Sequence, residues 1–61
     1  MDLRRYLQTC KNNIALLYTT DTCIECKEYN VNQFNDIPIE FLNMEIMDIN
    51  YEEDCTELWV L

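Results

Sequence analysis

Sixty-one residues with a net charge of −8 allow a single domain over residues 1–61, and a chain this short buries only about 60% of the surface its unfolded form exposes. Twelve acidic residues against four basic ones disfavour direct DNA or RNA binding, which draws on the opposite sign of charge. The absence of histidine and glycine excludes Cys–His hydrolytic chemistry and glycine-rich phosphate loops.

No apolar run approaches the ~20 residues of a membrane span. The segment Met1–Cys10 lacks the roughly 7–15-residue apolar core of a secretory signal. A cytoplasmic location is expected, where a Cys-x-x-Cys pattern is more often catalytic or metal-binding than a structural disulfide.

Asp2 is placed to cap a first helix. Its apolar residues Leu3, Tyr6, Leu7 and Cys10 fall at i, i+3, i+4 and i+7 and make one packing face. Lys11-Asn12-Asn13 closes that helix. Ile14–Tyr18 is an apolar run ended by polar turn-formers, which reads as a short buried strand. Thr22 with Glu25 three residues on forms a Thr-x-x-Glu capping box. Cys23 is then expected as the first residue of a second helix, with Cys26 one turn further in. That helix continues to about Phe34, burying Tyr29 and Phe34, and Asn35–Pro38 is a turn. A second strand is expected over about Ile39–Met47, pairing in parallel with the first through a right-handed crossover. Asn50, with Glu53 three on, caps a last helix carrying Tyr51, Cys55, Leu58 and Trp59. A rival reading makes Leu58–Leu61 a short strand.

The segment Tyr18-Thr19-Thr20-Asp21-Thr22-Cys23-Ile24-Glu25-Cys26-Lys27 resembles the active-site segment of the glutaredoxins. It is most similar to the small NrdH redoxins, which carry Tyr-Thr before the motif and an aliphatic-then-polar pair between the cysteines. The likeness runs over about residues 14–61. The family's later half, with two further strands, a cis-proline loop and a last helix, has no counterpart in these residues. The expected fold class is therefore α/β, a minimal or truncated thioredoxin-like fold in the order α-β-α-β-α with two parallel strands.

On this reading the protein is a small thiol–disulfide oxidoreductase acting on a protein disulfide. A thiol at a helix start ionises more readily, so Cys23 is the expected nucleophile and Cys26 the resolving thiol. Tyr18, Thr22, Glu25 and Lys27 are the supporting residues. Asp21 and Glu25 oppose the thiolate, and Lys27 is the one nearby cation. No cofactor is expected. Cys10, Cys23, Cys26 and Cys55 can be drawn as a Cys₄ zinc site, but the isolation of Cys10 and Cys55 argues against metal. Those two read as small core residues, with a Cys10–Cys55 bridge as an alternative.

The lack of a proline loop facing the motif, which the family has, places substrate capture on a symmetry mate or a partner. The alternative function is a non-enzymatic acidic interaction or inhibitor protein, of viral type, binding a host protein with half of this fold. In either case a homodimer or complex is expected, through an exposed sheet edge or through Trp59, because so small a core leaves apolar surface uncovered.

Overall fold

A computed structural model describes all of the chain, Met1–Leu61. Its elements are α1 (Leu3–Leu7), β1 (Ile14–Thr19), β2 (Ile24–Tyr29), a 3₁₀ segment (Val31–Asp36), α2 (Ile39–Leu42), β3 (Ile46–Tyr51) and β4 (Thr56–Val60). The strands form one mixed sheet in the order β2-β1-β4-β3. The expected α-β-α-β-α order with two parallel strands is incorrect: four strands and short helices replace it.

Two expectations hold. Asp2 caps α1, its carboxylate accepting the Arg5 N–H at 2.9 Å, and Leu3 from that helix is fully buried. Ile14–Tyr18 is a strand whose first three residues are buried.

The remaining elements differ for identifiable reasons. Residues 24–29 pair with β1 in antiparallel register instead of forming a helix. The stretch Ile39–Met47 opens as α2, because Pro38 occupies its N-cap and its carbonyl accepts the N–H groups of Phe41 and Leu42. Proline suits a helix start, where its missing N–H costs nothing. The strand begins only at Ile46. Asn50 caps no helix; it lies in β3, and the chain reverses where Glu52 N–H donates to the Cys55 carbonyl at 2.9 Å.

The last strand, β4, alternates buried and half-buried residues from Thr56 to Val60, so the period there is two and not 3.6. The rival strand reading of the tail is the correct one. β4 pairs in parallel with β1 (Ile14↔Thr56, Leu16↔Leu58) and antiparallel with β3 (Ile49↔Leu58, Tyr51↔Thr56). The parallel pair is thus made by the first strand and the last.

All helical segments lie on one face of this sheet. The core joins Leu3, Ile14, Leu16, Ile37, Leu58 and Val60, with Tyr6, Leu7, Tyr18, Tyr29, Phe34, Phe41 and Leu42 packed around it. Ile37, expected in a turn, is a core residue. Only eight residues are buried, so each carries a large share of the stability.

Two outcomes follow for stability. Leu58→Ala removes the centre of a one-layer core and should cost about 2–5 kcal/mol; chemical denaturation of wild type and variant measures it. Tyr6 has its hydroxyl pushed up to about 12, first by burial and then by the neighbouring Tyr51 and Cys10 side chains. A phenol whose folded value lies above the unfolded value of about 10 stabilises the fold fully below pH ~10. That stability is lost as the pH rises through about 12. The denaturation midpoint should therefore fall between pH 9 and pH ~12, and fall less in Tyr6→Phe.

Candidate functional site

The Cys-x-x-Cys segment lies on the β1–β2 hairpin. The reversal is built by Thr20, whose N–H donates to the Cys23 carbonyl at 2.7 Å. Its hydroxyl donates to that same carbonyl at 3.1 Å and accepts the Cys23 N–H at 3.2 Å. This local hydroxyl network is a known alternative to helix capping for threonine. Because Thr20 engages the Cys23 N–H and Thr22 sits in the turn, the Thr22–Glu25 capping box does not form. No residue of the chain has positive φ, so the turn needs neither glycine nor a left-handed residue.

Cys23 and Cys26 are both exposed. Cys23 Sγ lies 3.5 Å from the Thr20 hydroxyl and 3.9 Å from Glu25 Oε1. Glu25 also accepts the Tyr18 hydroxyl at 3.3 Å. Burial first, and then the Glu25 charge, push the Tyr18 phenol above its usual range. Lys27 stands over the Phe41 ring, 5.5 Å from its centroid, and Phe41 packs against Tyr18 at 5.0 Å. Tyr18, Cys23, Glu25 and Lys27 therefore share the helix-covered side of the sheet. Thr22 is in the turn and supports no thiol directly.

Cys26 pairs with Leu17 and points to the opposite side, since side chains alternate along a strand. An extended chain rises about 3.3 Å per residue, so the Cys23 and Cys26 Cα atoms are roughly 10 Å apart. A disulfide needs Cα atoms within about 7 Å and converging Cβ bonds. Joining these two thiols requires β2 to leave β1. The helix-start environment expected for Cys23 is replaced by a hairpin, which supplies no helix dipole.

Cys10 and Cys55 are half-buried and free, and no three His, Cys, Asp or Glu side chains converge to hold an ion. Burial, and then Glu57, Glu28, Glu52 and Asp54, push the Cys55 thiol up.

Sequence reading singled out Trp59 but missed the uncovered sheet face on which it stands. The strand registers line up Cys26, Leu17, Trp59 and Asp48 as one row across all four strands. The next row is Glu28, Ala15, Glu57 and Asn50. Ile24, beside Thr19, extends the apolar patch and is 59% exposed. None of Ala15, Leu17, Ile24, Cys26 or Trp59 belongs to the core cluster on the other side. Trp59 is half-buried within its own chain. The unbroken apolar run Leu58–Leu61 was the available signal, since read as a strand it puts apolar side chains on both faces.

No protein-family model, curated protein or solved structure matches the chain. No helix is long and apolar enough to cross a membrane.

Thiol reactivity should follow this placement. Alkylation at neutral pH should modify Cys23 and Cys26 well before Cys55, whose thiol is partly covered and held protonated by its acidic neighbours. Peptide mapping after a short pulse of iodoacetamide gives the order.

Proposed function

We propose that this protein is a small acidic binding module whose uncovered sheet face takes a partly apolar, basic segment of another protein. The observation that supports this is the juxtaposition of the Cys26–Leu17–Trp59 row with Glu28, Glu57 and Asp48 around it. A half-exposed tryptophan in an apolar strip is the residue type that anchors protein interfaces. A carboxylate rim selects for Lys and Arg on the partner and speeds encounter. The chain's net charge of −8 acts in the same direction at longer range. This is the non-enzymatic alternative of the sequence reading, and it keeps Trp59 as the contact residue.

A second reading keeps the thiols. Both motif cysteines are exposed, which supports thiol–disulfide exchange with a protein disulfide. In the folded sheet such exchange proceeds with one thiol at a time. The Cys23 thiolate attacks a partner disulfide, its sulfur joins one partner sulfur, and the other leaves as thiolate; a second external thiol then releases Cys23 by the same exchange. Cys26 resolves the mixed disulfide only if β2 detaches.

One set of measurements separates the two. A peptide of alternating Lys or Arg and aliphatic residues, titrated while Trp59 emission is followed, should shift that emission and bind more weakly as salt rises. Trp59→Ala should weaken binding roughly tenfold or more, with the far-ultraviolet spectrum unchanged; binding would be followed in this variant by a label on the peptide. If binding is absent, or survives Trp59→Ala intact, the face is not the site. Turnover of a protein disulfide by wild type but not by Cys23→Ser, with an intrachain Cys23–Cys26 disulfide in the folded product, would favour the dithiol enzyme.

A further inference from the structure

The sheet has two outer strands, and they are protected unequally. On β3, the N-terminal segment lies along the first residues: Met1 carbonyl accepts the Ile46 N–H at 2.9 Å, and Asp2 bridges Glu45. The register of β3 is then broken between Ile46 and Asp48. Coverage and a bulge are two of the devices by which proteins keep a strand edge from pairing with another chain. β2 has neither. Its residues from Ile24 to Glu28 are all exposed, and its register against β1 is unbroken.

The direction of its backbone groups follows from two hydrogen bonds. Thr20 N–H donates to Cys23 O across the hairpin, while Asn13 O accepts Thr56 N–H from β4. Even-numbered residues of β1 therefore turn their backbone groups to β2, and odd-numbered ones to β4. By the alternation of an antiparallel ladder, Cys23, Glu25, Lys27 and Tyr29 bond inward to β1. Ile24, Cys26 and Glu28 present free N–H and C=O groups at the outer edge.

We propose that a second copy of this chain docks on that edge, β2 against the partner's β2, antiparallel about a two-fold axis at Cys26. The backbone parity selects pairs of outward-facing residues: Cys26 opposite the partner's Cys26, and Ile24 opposite the partner's Glu28. In that register Glu25 faces the partner's Lys27, and Lys27 faces the partner's Glu25. Both charge pairs are complementary, and they arise together because the two residues are equally spaced about Cys26. Charges on an edge strand ordinarily blunt pairing; here their order makes the strand complementary to itself. A two-fold contact uses the same patch on both copies, and the product is one continuous eight-stranded sheet. The uncovered faces of the two copies then join into a single surface. This goes beyond the binding reading above and does not depend on it.

The charge order supplies the test. Sedimentation of the reduced protein should show a reversible monomer–dimer equilibrium. Lys27→Glu and Glu25→Lys each place like charges in both facing positions and should weaken association roughly tenfold or more. The double exchange Glu25→Lys with Lys27→Glu keeps the composition and restores the pairing, so it should recover the dimer. Diamide, which removes one hydrogen from each of two thiols to join them as a disulfide, should link copies through Cys26. Cross-linking should persist in Cys23→Ser and vanish in Cys26→Ser. A wild type that stays monomeric up to millimolar concentration overturns the proposal. So does a dimer that the single charge reversals leave intact, that the double exchange fails to restore, or that cross-links through Cys23.

Discussion

The pairing of β4 with β1 is the constraint on which the rest of this structure depends. β1 is the most apolar segment of the chain, and its Ile14 and Leu16 are almost wholly buried. What covers one side of it in the plane of the sheet is the C-terminal strand, paired in register from Thr56 to Trp59. Leu58 lies opposite Leu16, and neither is exposed at all. Remove β4 and the sheet separates into the β1–β2 hairpin and an isolated β3, and the core loses Leu58 and Val60. Two-stranded hairpins are marginal in water. The contact spans most of the chain, so its closure entropy must be met before any core forms. Folding of this protein is expected to be cooperative for that reason, despite the short length.

The same pairing explains why only one face of the sheet is covered. With β4 in the middle, Leu58 and Val60 point to the helical side and Glu57 and Trp59 to the other. There are three short helical segments, α1, the 3₁₀ segment and α2, and all of them are used on the first side. Sixty-one residues contain no further element to close the second. Ala15 escapes exposure there because its register neighbours are Glu28 and Glu57, whose aliphatic stems can shield a small side chain. Leu17 and Trp59 are larger and remain half open. Uncovered sheet faces of this kind, apolar in the middle and acidic at the border, combine the anchor and the rim of a protein interface.

The placement of the cysteines shows how strongly local geometry governs chemistry. In a helix, residues three apart lie on one face and close together. In a strand the same spacing puts them on opposite faces and about 10 Å apart. The sequence Cys23-Ile24-Glu25-Cys26 is compatible with either, and the two outcomes differ in whether the pair can close a disulfide at all. Thr20 closes the turn that the strand outcome requires. Its hydroxyl and amide hold the Cys23 N–H and carbonyl, which fixes the reversal along β1 and leaves no capping box at Thr22.

From residues alone one can read the single small domain, the acidic surface, the Asp2 cap, the amphipathic α1 and the buried β1. Each of these is local or compositional: a carboxylate beside the first turn, apolar residues at helical spacing, five apolar residues in a row. What only the tertiary structure decided is the fate of segments whose patterns suit both helix and strand. Residues 24–29 mix Glu and Lys, good helix formers, with Ile and Tyr, good strand formers. They became a strand because β1 offered an unpaired edge and Phe41 a ring for Lys27. The tail Thr56–Val60 has too few residues to display a period beyond doubt, and its position between two other strands settled it. Strand pairing joins residues that are distant in the chain, and its energy resides in those partners, so no window of sequence contains it.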